Sequence, residues 1–150
     1  MAHALQESLK LLLKEAFEGP SEEWSWFTNA EENAGIFGIL EGLPAEKASL
    51  SRNGSTIAAH ADHVRYHMWG TNEFLRTGTF PDMDWQQSWQ INAVNEAEWD
   101  DIKQALVKEF NTLLAGIDQV QWDEAHANEM LGSLAHAAYH LGALKQMIKA

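Results

Sequence analysis

The chain contains no cysteine, which removes disulfides, thiolate metal ligands and a cysteine nucleophile together. No stretch approaches the ~18 consecutive apolar residues of a membrane span, so no membrane partner is expected. Basic residues are scarce: ten Lys and Arg stand against twenty-two Asp and Glu, for a net charge of −12. That field repels phosphate backbones and anionic membrane surfaces, so nucleic acid is not an expected partner, and it slightly favours cations. Solubility is the plainer explanation for most of the charge. No serine sits in a Gly-x-Ser-x-Gly elbow, and the glycines are scattered, mostly at predicted helix ends, so neither serine hydrolysis nor a phosphate loop is supported. The opening MAHALQESLKLLLKEAF lacks a basic leader and a cleavage signal and reads as an amphipathic helix. A cytoplasmic location is the expectation.

What is present is helical. The 150 residues, 45% hydrophobic and 21% charged, suit one globular domain spanning 1–150. Leu5, Leu9, Leu12, Leu13 and Ala16 make an apolar stripe that stops at Gly19-Pro20. After the aromatic SEEWSWF segment, Asn29 with Glu32 predicts a capping box for a short helix closed by Gly42 and Pro44. The next helix is predicted from Ser55 or Thr56 to Thr77, before Gly78. Asn95 with Glu98 repeats the capping-box pattern and opens a helix carrying Trp99, Ile102, Leu106, Phe110, Leu113 and Ile117. The last helix is predicted to begin within 123–129 and to run close to the end of the sequence. No run alternates with period two. The expected fold is therefore an all-α, four-helix bundle with one short extra helix. Residues 78–94 form a connection, between the second and third main helices, longer than the usual ~2–8 residues of a bundle.

Histidine carries the chemistry. His136 and His140 are four residues apart, so on a helix they share a face with Cβ atoms about 5–6 Å apart. His60, His63 and His67 share a stripe on another predicted helix. Were the two helices to pack side by side, imidazoles would converge across the interface, as in the metal sites of bundle cores. Three histidine nitrogens leave a zinc-like ion with a position for water or substrate. A lone HxxxH is common by chance, and a single histidine on a partly apolar face is more often a hydrogen-bonded core residue than a ligand. The combination of two clusters is the stronger signal. His63, at the centre of its stripe, is the best single choice from its helix, with His60 and His67 as replacements or supporting groups. The metalloprotease pattern HExxH fails because Ala137, Ala138 and Tyr139 follow His136. The di-iron pattern Glu-x-x-His fails because Ser133, Ala137 and His60 stand three residues before His136, His140 and His63. Trp85 and Trp89 lie in the long connection, where a loop could fold over the mouth of a site. Asp62 and Arg65 read as a solvated pair on the other side of their helix.

The segments TIAAHADHVRYHMW, DWQQSW and HAAYHLGALKQM, in this order and separation, resemble the DinB-like superfamily of metal-binding four-helix bundles. The resemblance spans nearly the whole chain. It departs where Gln146 lies further from the second histidine than the family's glutamine usually does. It implies a metal triad of His63, His136 and His140 and a divalent ion, nickel or zinc. It further implies a homodimer and a small-molecule substrate, with a low-molecular-weight thiol as cosubstrate in some members. Thiol transfer or hydrolysis is the implied chemistry, and a non-catalytic metal- or ligand-binding bundle is the alternative.

Overall fold

The computed structural model describes residues 3–21 and 24–149. Among the described residues six helices follow one another: α1 (Gln6–Glu18), α2 (Ile36–Glu41), α3 (Ala45–Ala48), α4 (Ile57–Thr77), α5 (Glu96–Ile117) and α6 (Glu124–Lys149). A single 3₁₀ turn, Gln87–Trp89, interrupts the connection between α4 and α5. No strand occurs among the described residues. The fold is an all-helical bundle in which α1 packs on α6, α6 on α4, α4 on α5 and α5 on α1.

The helix boundaries have local causes. Thr56 caps α4, its hydroxyl accepting the Ala59 N–H at 3.0 Å. Gly78 ends α4 in the left-handed region, φ 76°, and returns its N–H to the Phe74 carbonyl. Asn95 and Glu98 form the expected capping box on α5, at 2.8 and 3.0 Å. The apolar stripes then bury a single core. Phe17 and Phe110 meet in it, and the half-buried Phe37 packs on both, with ring centroids about 5 Å apart. Trp99 is fully buried and donates its indole N–H to the Leu43 carbonyl at 2.9 Å, which ties the segment between α2 and α3 to α5.

Helix directions follow from paired contacts. His60 meets His140 while Phe74 meets His126, so α4 and α6 are antiparallel. Asn72 bonds Glu109 and Leu75 lies against Gly116, so α4 and α5 are parallel. This explains the long connection. A helix of 21 residues is about 30 Å long, and a parallel successor needs a segment that travels that distance back. The return leg climbs α4 in register: Phe80 stacks on Phe74, Met83 covers Gly70, Trp85 meets Tyr66 and His67, and Trp89 reaches His63 and His60. A β-carbon at Gly70 would collide with the Met83 thioether, so the absence of a side chain there lets the crossover lie close.

The short helices depart from expectation. The Asn29–Glu32 capping box does not form. Instead Asn29 bonds Glu31, and α2 starts only at Ile36, after Gly35. A distant residue is responsible. The buried Glu15 carboxylate of α1 accepts the backbone N–H groups of Trp26, Phe27 and Thr28 at 2.6–3.0 Å, which holds that segment in a turn. Gly35 then presses so closely on Phe17 and Gly19 that any β-carbon there would strike backbone. Gly42 does close α2, but Pro44 opens a further helical turn, α3, that the pattern did not predict.

Candidate metal centre

α4 and α6 bring the two histidine clusters together. His63, His136 and His140 each offer a ring nitrogen, and these atoms all lie within 4.8 Å of one another. Among the described residues it is the one such cluster of three potential ligands. His63 and His140 are buried and His136 half-buried. Antiparallel packing sets the convergence, because His63 falls opposite the single turn that separates His136 from His140.

The hydrogen bonds orient the rings. His63 Nδ1 lies 2.9 Å from Ser88 Oγ, and that hydroxyl donates its own proton to the Trp85 carbonyl at 2.7 Å. Ser88 can therefore only accept from His63. The proton sits on His63 Nδ1, and Nε2 keeps its lone pair. Nε2 faces His136 Nε2 at 3.2 Å. Two nitrogens bound to one tetrahedral ion at ~2.0–2.1 Å would be about 3.3 Å apart, so the spacing suits a shared cation.

His140 has a corresponding support. Its Nδ1 lies 3.0 Å from His60 Nδ1, and His60 Nε2 lies 3.1 Å from Ser55 Oγ. The chain can run in either direction, and in the one that suits a metal His140 Nδ1 donates to His60 Nδ1 and His60 Nε2 donates to Ser55. His140 Nε2 is then bare and available as a ligand. His60 is thus a buttress behind His140. His67 lies flat against His136, centroids 3.8 Å apart and planes within 12°, and packs the ring from behind. His126 bonds Asp123 and His3 stacks on Trp122, both away from this centre.

Burial keeps the cluster neutral. Loss of solvent lowers the His63 pKa from 6.5 to about 4, with His67 and His60 adding repulsion. The same cause, reinforced by neighbouring imidazoles, takes His140 to about 3 and His136 to about 2. Neutral imidazole is the form a metal needs. The donor set, three neutral nitrogens without a thiolate, suits zinc, nickel and other borderline divalent ions.

The crossover forms the roof. Trp89 stacks on His63 at 4.1 Å and sets its edge toward His60, while Trp85 covers His63 and His67. The expectation of tryptophans over a site mouth is met. Ser88, between them, escaped the sequence reading. A serine flanked by two tryptophans in a connection too long for a simple turn was the available signal. Ser55, adjacent to the α4 cap, was equally silent in its role.

One expectation is overturned. Asp62 and Arg65 are not a solvated pair. Asp62 is 7% exposed, and Arg65 Nε donates to it at 2.7 Å inside a cleft roofed by the crossover. The returning segment covers this side of α4 as well. A second cleft, of about 410 Å³, opens beside His60 and His140 between Ser55, Trp89, Asn92 and Tyr139.

No protein-family model matches the chain, and no curated protein or solved structure is significantly similar to it. Among the described residues no helix is long and apolar enough to cross a membrane.

Proposed function

We propose that the protein binds one divalent metal ion through His63, His136 and His140 and uses it in catalysis, as a DinB-like four-helix bundle. The observation that carries this reading is the convergence of three imidazole nitrogens within 4.8 Å, supported by the proton position that Ser88 imposes on His63 and by the contact of His60 with His140. Nickel or zinc is the proposed ion, since imidazole nitrogen suits both. An ion held by three protein ligands acts as a Lewis acid and lowers the pKa of a bound thiol or water. The chain has no cysteine, so any thiol nucleophile comes from a small cosubstrate. Thiol transfer and hydrolysis share these requirements. The homodimer implied by the resemblance belongs to the same proposal.

The protein's own residues supply the surroundings. Ser88 and His60 fix two ring orientations, while Trp85 and Trp89 shield the imidazoles from water. One observation favours a second reading, a non-catalytic metal-binding bundle. His60 and His67 lie within one ring of the cluster, and a fourth imidazole drawn onto the ion would close its coordination.

Elemental analysis of tag-free protein beside the His63→Ala variant tests the site. The expected result is about one divalent ion per chain, lost in the variant. A metal-free protein after incubation with nickel and zinc would overturn the reading. X-ray absorption then separates the alternatives, as an open site shows exchangeable oxygen ligands that a closed four-imidazole site lacks.

A further inference from the structure

The cleft that holds Arg65 is separate from the histidine cluster. It measures about 420 Å³, within the ~300–1,000 Å³ of ordinary small-molecule sites. α4 supplies one wall, with Asp62, Arg65, Tyr66 and Trp69, and the crossover supplies the other, including Gln90 and Ile91. Ser88 stands between the cleft and His63.

The polar groups of this cleft are unequally satisfied. Arg65 spends its Nε on Asp62 Oδ1 at 2.7 Å, with its side chain only 27% exposed. Among the described residues nothing accepts a hydrogen bond from its two terminal nitrogens. Those nitrogens form the second edge of the guanidinium fork, whose spacing matches the two oxygens of a carboxylate. Asp62 holds the fork in place from the other edge. Tyr66 accepts the Asp84 N–H on its phenol oxygen and retains its own proton to donate. Tyr66 and Trp69 stack on each other at 5.6 Å and make the α4 wall aromatic, and Ile91 contributes an apolar group from the other side.

We infer that this cleft is a binding site for a small organic monocarboxylate with a flat apolar body. The carboxylate seats on the free edge of Arg65, and the ring lies between the aromatic wall and Ile91. One charge is specified for a reason. A single guanidinium, paired with Asp62 and within electrostatic reach of the Glu109 carboxylate in a chain of net charge −12, has no second cation for a dianion. The site does not depend on a metal.

Calorimetric titration with benzoate, and with benzamide as its uncharged counterpart, tests this. Benzoate is expected to bind the wild-type protein saturably and benzamide at least about tenfold more weakly, because a charge-assisted pair is replaced by a neutral one. Arg65→Gln removes the fork and should cost at least about tenfold in benzoate affinity. Gln90→Glu, at an exposed position, leaves the Asp62–Arg65 pair intact, sets a negative charge in the cleft, and should also weaken benzoate. It decides the matter if Arg65→Gln fails to fold. His136→Ala should bind benzoate as the wild type does. The inference is overturned if benzoate does not bind the wild type, or if its affinity survives in a folded Arg65→Gln or in Gln90→Glu. Loss of binding in His136→Ala would overturn it too, by placing the carboxylate on the histidine cluster.

Discussion

Ser88 accepts a hydrogen bond from His63 across 2.9 Å, and this contact joins the crossover to the helix that carries the first histidine cluster. Because the serine proton is committed to the Trp85 carbonyl, the bond has one direction and the imidazole one tautomer. Ser88→Ala should therefore leave the bundle folded but free the His63 ring to turn or to shift its proton. Metal affinity is expected to fall about 10–100-fold, as when other partners of metal-bound histidines are removed. Competition with a chelator of known affinity measures this, and an unchanged constant would show that the serine does not orient the ring.

The histidines divide into ligands and supports, and substitution should separate the classes. His136→Ala or His140→Ala is expected to abolish stoichiometric metal. His60→Ala removes only the group behind His140, so binding should weaken without vanishing. His126→Ala, whose ring is bonded to Asp123, should retain full metal. Metal analysis of the four proteins after identical loading provides the check. Full occupancy in both ligand variants would sink the assignment.

Much of this arrangement is legible from local patterns, because the long helices obey local rules. Thr56, Gly78 and the Asn95–Glu98 box each act within one turn of their own chain, and all three appear where the residue types place them. The shared face of His136 and His140 and the stripe of His60, His63 and His67 were likewise readable, since helical spacing sets a face before any tertiary contact is known. What was not legible depends on distant residues. Glu15 captures the backbone at 26–28 and delays α2, and nothing near Asn29 signals this. The burial of Asp62 and Arg65, and the roles of Ser55 and Ser88, depend on the path of the crossover. That path follows from the parallel α4–α5 pairing, which periodicity does not encode.

The pH dependence of metal binding should reflect burial rather than ordinary histidine chemistry. An unperturbed imidazole predicts that affinity falls as pH drops through about 6.5. Here desolvation lowers His63 to about 4 and His140 to about 3, so protons compete poorly for the folded site. Metal should stay bound through pH 6 and be released near pH 4–5, provided the chain remains folded. The stability of the metal-free protein has its own sign. Folded-state pKa values below the unfolded value of 6.5 mean that the unfolded chain binds more protons between the two. Stability from this cluster is complete above about pH 6.5 and is lost as pH falls toward 4. Urea midpoints across that range, with and without metal, measure both effects. Release centred on pH 6.5 with the fold intact would contradict the buried geometry.

Glu109 offers a test that leaves the histidines untouched. Its Oε2 is buried without a hydrogen-bond partner, and so is the Oδ1 of Asn72, whose amide nitrogen donates to the Glu109 backbone carbonyl. Loss of solvent raises the Glu109 pKa above 4.5, opposed by Lys108, by the neighbouring Asn72 side chain and by Arg65. A raised carboxyl pKa means that the folded chain holds this proton more tightly than the unfolded one. The stability this one carboxyl contributes is therefore fullest at or below pH 4.5 and declines as pH rises through the folded pKa. Glu109→Gln removes a charge that is buried without a hydrogen-bond partner and replaces it with a neutral amide. The variant should gain roughly 0.5–1 kcal/mol at neutral pH, discounted for the partial exposure of the side chain. The gain should shrink below pH 4.5, where the native carboxyl is neutral as well. Denaturant midpoints at the two pH values supply the measurement, and a variant less stable than the wild type at pH 7 would show that the carboxylate has a partner the present geometry does not provide.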